Sequence, residues 1–469
     1  MSSASRHVVV VGGGLAGLSA AIVCADEGAR VSVFEARPRL GGATWSFERN
    51  GLRFDNGQHV FLRCCTAYRG LLERLGTSSL ASLQDRLAVP VLRRQGETGV
   101  VRVAQIRRNR LPAPAHLAGS LLRYRHLRFA DRLRAMPAAL AIRRIDLDDA
   151  ALDQQTFASY LSEHGQSSEA IARFWDLITL PTVNVRAREA SLALAAKVFK
   201  TGLFDDTDAA DIGWAHVPLE DVHVKPAAEA IAKCGGAVYH RRKVVAIETN
   251  VDEEPRQVTG VLTESGRVEA DAVIVAVPHR QASELVPKTE RFDPAALDGL
   301  GSSPIIDVHV VYDRKITELE FAAAVDSPVQ FVFDKTVAAG LDPKDGQVIA
   351  VSVSGADDEH GERPDVLTER YRRELEALFP KARAAKVLDA VVSREHEATF
   401  RGVPGTRQLR APTEIGLNGC FLAGAWTDTG WPATMEGAVR SGNAAAAAAL
   451  RYLSLAPRNE PTPTADVFA

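Results

Sequence analysis

The chain has 469 residues, more than one hydrophobic core usually organises, so two domains are expected. Apolar content of 46%, charged content of 25% and 35 glycines exclude a disordered or fibrous chain and describe an α/β globular protein. The formal net charge of −3 and five cysteines with neither disulfide-framework nor CxxC spacing exclude a disulfide scaffold and a cysteine metal site, and no nucleic-acid partner is expected.

In chain order, the apolar run 8–11 is far too short for a signal peptide, and nowhere do about 18 apolar residues follow one another, so a cytoplasmic location without a transmembrane helix is expected. Residues 7–11 read as a buried strand, followed by a glycine turn, an alanine-rich helix 15–27 and a second strand 30–35. In VVVVGGGLAGLSAA, Gly12, Gly14 and Gly17 have G-x-G-x-x-G spacing between strand and helix. Gly12 permits the tight turn, Gly14 lets a pyrophosphate approach the backbone, and Gly17 lets helix and strand pack closely. The helix start, with Leu15 and Ala16, turns amides and a positive dipole end toward phosphate, and Glu35 is positioned to accept hydrogen bonds from ribose hydroxyls.

The following EARPRLGG, with Glu35, Ala36, Arg39, Gly41 and Gly42, resembles the E-x-x-x-R-x-G-G extension of the FAD-binding amine oxidase superfamily. That resemblance implies FAD as cofactor, with Arg39 near the ribose or pyrophosphate. Ala43 stands where members often carry arginine, so one phosphate contact loses its usual side chain. Next comes FDNGQHVFLRCC, containing Asp55, Asn56, Gly57, Gln58, His59 and the vicinal Cys64 and Cys65. The two thiols are read as packing or pocket-lining groups, because vicinal cysteines bridge only through a strained ring.

Residues 107–144 hold ten arginines and one acid, Asp131, a charge of +9 that leaves −12 for the rest. Leu117, Leu121, Leu122, Tyr124, Leu127, Phe129, Leu133, Met136, Leu140 and Ile142 run among them, the pattern of basic amphipathic helices on an anionic membrane surface, with a solvated helical face whose arginines pair with acids elsewhere as the alternative. Further on, 243–249 and 270–277 read as strands, the first bringing Val244 to the nucleotide fold. Residues 305–312 and 347–353 alternate as strands, 365–378 forms a helix, and 419–423 is a short strand before a helix at 436–450. The expected architecture is a discontinuous Rossmann-type FAD domain (6–75, 216–283 and 406–452) with a second, α+β substrate domain (76–215, mostly helical, and 284–405). The polar tail 453–469 is expected to be disordered.

The segment CFLAGAWTDTGWPATMEGAVRSG resembles the superfamily's second FAD motif, which implies that Asp428 faces the ribityl or phosphate region. A helix beginning at Ala433, Thr434 and Met435 then aims amides at the flavin N1 and C2 carbonyl, where a helix N-terminus stabilises the charge of reduced flavin. Together with FDNGQH, LPTVNVRAREAS and IIDVHVVYDRKI, this ending resembles the hydroxysqualene dehydroxylases of the amine oxidase and phytoene desaturase superfamily. The resemblance implies a step of bacterial squalene and hopanoid synthesis in which hydroxysqualene loses its hydroxyl as reduced FAD is oxidised. It also implies a long-chain isoprenoid substrate, contact with the inner face of the cell membrane through 107–144, and squalene-pathway enzymes as partners.

For the acid such a reaction needs, Asp55 and His59 are the candidates, with Gln58 as orienting donor; a turn at Asp55 and Asn56 with a satisfied core histidine at His59, and proton delivery by water, stay open as alternatives. Trp45, Trp426 and Trp431 are open between flavin-site walls and plain core. His216, His223, His279 and His309 are scattered, and no metal is expected. Two rival readings remain: a carotenoid desaturase or isomerase, and a non-catalytic prenyl-lipid escort, which intact Gly12, Gly14, Gly17, Glu35 and Asp428 oppose. An amine oxidase proper is disfavoured, because such a site needs an aromatic pair around the amine and none is identified in this sequence.

Overall fold

The computed structural model describes residues 6–96, 99–250 and 256–454. The opening unit consists of strand His7–Val11, helix Leu15–Asp26 and strand Arg30–Phe34. Every residue of the first strand is buried, as a parallel strand covered on both faces must be. It lies at the centre of a five-stranded sheet in the order Ala237–Tyr239, Arg30–Phe34, His7–Val11, Ala272–Val275, Cys420–Leu422. All four pairings are parallel, with Val9 opposite Ser32 on one side and Val273 on the other.

The C-terminal helix Met435–Tyr452 packs on the first helix so closely that a Cβ on Gly442 would lie 2.2 Å from the Ala16 carbonyl oxygen. Ser19 Oγ donates to Asn443 Oδ1 across this crossing at 2.6 Å. Small residues on both helices allow the approach, and the tail of the chain is thereby fastened to its beginning. Residues 243–249 depart from expectation. They form Val244–Thr249, but this strand leaves the parallel sheet and pairs with Val258–Thr263, which pairs in turn with Gly266–Glu269 in a separate antiparallel sheet.

A second large sheet has seven strands in the order Val387–Thr399, Ser303–Tyr312, Gln347–Ser354, Phe331–Asp334, Phe321–Ala324, Ala88–Gln95, Val100–Arg107. It is antiparallel except where Phe321–Ala324 meets Ala88–Gln95. The stretch 76–215 is therefore not only helical: a hairpin from it forms one edge of this sheet. That hairpin has mixed burial on both faces and no clean alternation, which hid it from a periodicity reading. On Ser303–Tyr312 the residues Ile306, Val308 and Val310 pack toward helix Pro364–Leu378, whose Leu367, Tyr371 and Leu375 are buried against them. The alternate residues Asp307, His309 and Val311 face the other way, toward the hairpin formed by Ser46–Arg49 and Leu52–Asp55. Of the expected disordered tail, residues 455–469 lie outside the described residues.

Candidate functional site

The glycine turn has the geometry of a phosphate cradle. Gly12 has φ +107°, and a Cβ there would sit 2.6 Å from the Ala276 carbonyl oxygen; one on Gly17 would sit 2.0 Å from the Gly12 oxygen. Both glycines are demanded by the fold itself. Gly14 differs: it is the N-cap residue of the first helix in extended conformation, and the nearest atom to its imagined Cβ is the Gly42 Cα at 3.8 Å. Gly14 bridges to Gly41, whose amide donates to the Gly13 carbonyl at 2.9 Å, so the two glycine pairs face each other with bare backbone. Leu15, Ala16 and Gly17 occupy the first turn, where amides have no intrahelical acceptor.

The Glu35 carboxylate accepts from the Gly13 amide at 2.8 Å and the Arg37 amide at 2.7 Å. Each oxygen keeps acceptor capacity for a ribose hydroxyl, and Ala36 beside it is exposed. The Glu35 and Tyr239 backbones are joined at 2.9 Å, and the Arg242 amide donates to the Glu35 carbonyl, which leads the chain to Val244 on the same side. Arg39 lies with its guanidinium 3.6 Å over the Trp45 ring, and its Nη1 is buried without a hydrogen-bond partner among the described residues. A buried, unpaired guanidinium nitrogen beside paired glycines is what an absent phosphate or ribose would satisfy, so these residues fit a dinucleotide.

At the other end of the chain Thr434 caps the C-terminal helix, its Oγ1 accepting from the Gly437 amide at 3.2 Å. Ala433, Thr434 and Met435 are half-buried at this helix start, and Asp428 is exposed on the preceding loop. Buried Glu436 accepts from the amides of Ala67 and Tyr68 at 3.1 and 2.8 Å, so it caps the neighbouring helix Thr66–Leu75. The three tryptophans separate. Trp426 is core, its Nε1 donating to the Val277 carbonyl; Trp45 underlies Arg39; Trp431 lies between Lys197 and Arg440, at 5.3 and 4.7 Å. Cys64 and Cys65 are unbridged at the start of Thr66–Leu75. Among the described residues no group of three or more His, Cys, Asp or Glu is arranged to hold a metal ion.

The DNGQH loop joins the cradle to the seven-stranded sheet. Asn56 Nδ2 donates to the Ala43 carbonyl and to Glu395 Oε1, both at 2.8 Å, while its Oδ1 accepts from the Trp45 amide. From the opposite side Ser393 Oγ donates to the Asn56 carbonyl at 2.7 Å, and the Gln58 amide donates to Asp307 Oδ1 at 3.0 Å. Asp55 is an anchor: Oδ1 accepts from Ser46 Oγ and the Leu219 amide, and Oδ2 pairs with the buried Lys335 ammonium at 3.3 Å. The Gln58 Nε2 donates to the His59 carbonyl at 3.3 Å, and its Oε1 is buried without a hydrogen-bond partner among the described residues.

His59 is half-buried and donates Nδ1–H to the Gly57 carbonyl at 2.9 Å, a tautomer assigned from that bond. Burial lowers its pKa and keeps the ring neutral, so Nε2 is a bare acceptor. Behind the loop lie two groups that the sequence reading passed over as site residues. Asp307 is buried, its Oδ2 has no hydrogen-bond partner among the described residues, and burial first of all raises its carboxyl from 3.8 to about 7. His309, two residues along the same face, has both ring nitrogens unpartnered among the described residues and is lowered by burial to about 4. Buried His223, also lowered by burial to about 3, donates Nε2–H to Thr44 Oγ1 at 3.0 Å, since that hydroxyl donates its own hydrogen to the Gly41 carbonyl. The alternation in IIDVHVVY was the one available signal, and by itself it describes a strand with a solvated face.

Residues 15–450 match the family of flavin-containing amine oxidoreductases. A probable zeta-carotene desaturase of Synechococcus elongatus is 26% identical, over 96% of this chain and 100% of that protein. The hydroxysqualene dehydroxylase of Zymomonas mobilis is 24% identical, over 94% of this chain and 99% of that protein. Among solved structures, an oxidoreductase from Methanosarcina mazei superimposes with a TM-score of 0.71 at 15% identity, covering 94% of this chain and 99% of its own.

Proposed function

The chain belongs to the flavin-containing amine oxidoreductase family and is an FAD-dependent oxidoreductase, and from that premise we propose that it reductively dehydroxylates hydroxysqualene to squalene. The observation carrying this reading is the clamped DNGQH loop: a neutral imidazole and a carboxyl that retains its proton lie in the joint between dinucleotide cradle and large sheet. Departure of a hydroxyl from an allylic carbon requires a proton on the oxygen and exclusion of water that would recapture the cation. The likeness to the Zymomonas dehydroxylase over nearly its full length supports the same choice.

Gly12, Gly14, Leu15, Ala16, Gly17 and Glu35 with Ala36 would hold the adenosine and pyrophosphate, with Arg39, Gly41, Gly42 and Ala43 closing over them. Val244 would border the adenine side, and Asp428 with Ala433, Thr434 and Met435 the ribityl and ring. Reduced FAD, when bound, supplies the hydride. Asn56 orients the loop, the His59 ring accepts a hydrogen bond through Nε2, and the aromatic rings of Trp45, Phe47 and Phe54 make the neighbourhood apolar.

A lipid substrate has to be taken from a membrane, and the 107–144 surface supports that route. Of the apolar residues there, Leu117, Leu121, Tyr124, Leu127 and Ile142 are core and face the protein interior. Leu111, Leu122, Phe129, Leu133 and Leu140 remain exposed, Phe129 at 64%, and eight of the ten arginines are exposed around them. Among the described residues no helix is long and apolar enough to cross a membrane.

The test is anaerobic incubation of chemically reduced holoenzyme with hydroxysqualene, following squalene and flavin reoxidation together. A second reading, carotenoid desaturation, is favoured by the 26% identity to the Synechococcus protein; it predicts that oxidised holoenzyme is reduced by zeta-carotene and that hydroxysqualene is left unchanged.

A further inference from the structure

Resting on the dehydroxylase reading, we propose that Asp307 is the acid of this site, delivering its proton from Oδ2 past Gly57 to the departing hydroxyl of the substrate. The three residues that the DNGQH segment itself offers do not carry that role. Asp55 has both oxygens engaged by Ser46, Leu219 and Lys335 and keeps none to present a proton. Gln58 has no acidic proton, and the neutral His59 has its one N–H turned to the Gly57 carbonyl.

Asp307 is built differently. Its Oδ1 is tethered by the Gln58 amide, while Oδ2 is buried with no hydrogen-bond partner among the described residues. A carboxyl oxygen in that state must carry a proton or meet a ligand, because a bare buried anion is costly. Residue 57 in front of it has no side chain: a Cβ on Gly57 would stand 3.0 Å from Asp307 Oδ2 and 3.5 Å from His59 Cε1. The carboxyl and the half-open imidazole edge thus both border the bare Gly57 backbone.

The charged and titratable groups around it come from every neighbouring element. Asp55 faces it from the hairpin and Lys335 from the turn after Phe331–Asp334; they act in opposite senses, Asp55 favouring and Lys335 opposing proton retention. His59 lies across Gly57, His309 is on the same strand face, Glu395 bonds to the loop from the adjacent strand, and His223 acts on His59 and Asp55. Ser352 and Ser393 are its partners across the two strand pairings, and the Gln58 amide and the Ser352 hydroxyl both favour the ionised carboxylate. Desolvation exceeds these influences, which is why the carboxyl holds its proton to neutrality.

In the step, the Asp307 O–H bond breaks and its proton bonds to the substrate hydroxyl oxygen. The C–O bond then breaks, water leaves, and the carbon receives two electrons and one hydrogen from reduced FAD. The carboxylate recovers a proton from solvent, so alcohol, reduced FAD and one proton give the hydrocarbon, water and oxidised FAD.

Two measurements test this. Infrared difference titration of the oxidised holoenzyme is expected to show a carboxylic acid C=O band that disappears near neutral pH and is absent from Asp307→Asn. In single turnovers with reduced holoenzyme, Asp307→Asn loses about 10²–10⁴-fold in rate together with the fall above pH 7, while Asp307→Glu recovers part of it. Gly57→Ala, which crowds Oδ2, slows turnover with FAD still bound. A wild type without the band, or an Asp307→Asn variant keeping both rate and pH profile while forming squalene, overturns the assignment of Asp307 and leaves the dehydroxylase reading standing. A wild type that shows the band but never forms squalene overturns both.

Discussion

Replacing Asp307 by asparagine changes how stability depends on pH, in a direction opposite to that of an ordinary paired carboxylate. Its carboxyl keeps its proton in the fold up to about pH 7, whereas the unfolded chain loses it near 3.8. Between those values the folded state binds the extra proton, so stability falls as pH rises from about 4 to about 7 and is level above it. At about 1.4 kcal/mol per pH unit the whole interval corresponds to about 4 kcal/mol, and the side chain is too buried for solvent to screen it. Asparagine keeps the acceptor for the Gln58 amide and cannot ionise. Any cost of its buried NH₂ is constant with pH and cancels when the two proteins are compared across a pH series. With an unfolding entropy of about 2 cal/mol/K per residue, 469 residues give about 1 kcal/mol/K, so about 1 °C per kcal/mol. Scanning calorimetry of both holoproteins should therefore show the melting temperature of Asp307→Asn gaining about 3 °C on wild type between pH 5 and 8.5. Parallel curves would refute the reasoning, because they would mean that Asp307 ionises equally in both states.

Gly14→Ala should fold with a normal circular dichroism spectrum yet lose FAD absorbance, since its Cβ has room in the protein but enters the cradle; Gly17→Ala should fail to accumulate as folded protein, its Cβ meeting the Gly12 oxygen at 2.0 Å. Arg39→Ala should weaken FAD binding in fluorescence titration by about tenfold or more, the loss of a charge-assisted contact worth about 1.5–3 kcal/mol. Asp55→Asn should destabilise by about 3–5 kcal/mol in denaturant melts, because it leaves the buried Lys335 ammonium without its counter-ion. Phe129→Glu with Leu133→Glu should abolish sedimentation with anionic vesicles while squalene formation from detergent-dispersed substrate persists, and salt should weaken wild-type binding.

The amino-acid sequence alone determined the dinucleotide cradle. A strand, three glycines at fixed spacing, a helix and an acid within the first 35 residues specify a local backbone geometry, and local geometry is set by contiguous residues. The same holds for the N-cap at Thr434 and the helix after it. The surroundings of the titratable groups were decided elsewhere. Asp55 and His59 were legible as titratable residues near the glycines, but their roles depend on Lys335, Leu219 and Gly57, which took up one carboxylate and one ring N–H. Asp307 and His309 alternate with valines as they would on a strand with one wet face, and only packing of the Ser46–Asp55 hairpin and its loop against that strand turned the face inward. The affinity of a carboxyl for its proton follows from how much water it loses, and the residues that exclude water from Asp307 come from segments about 250 positions away in the chain.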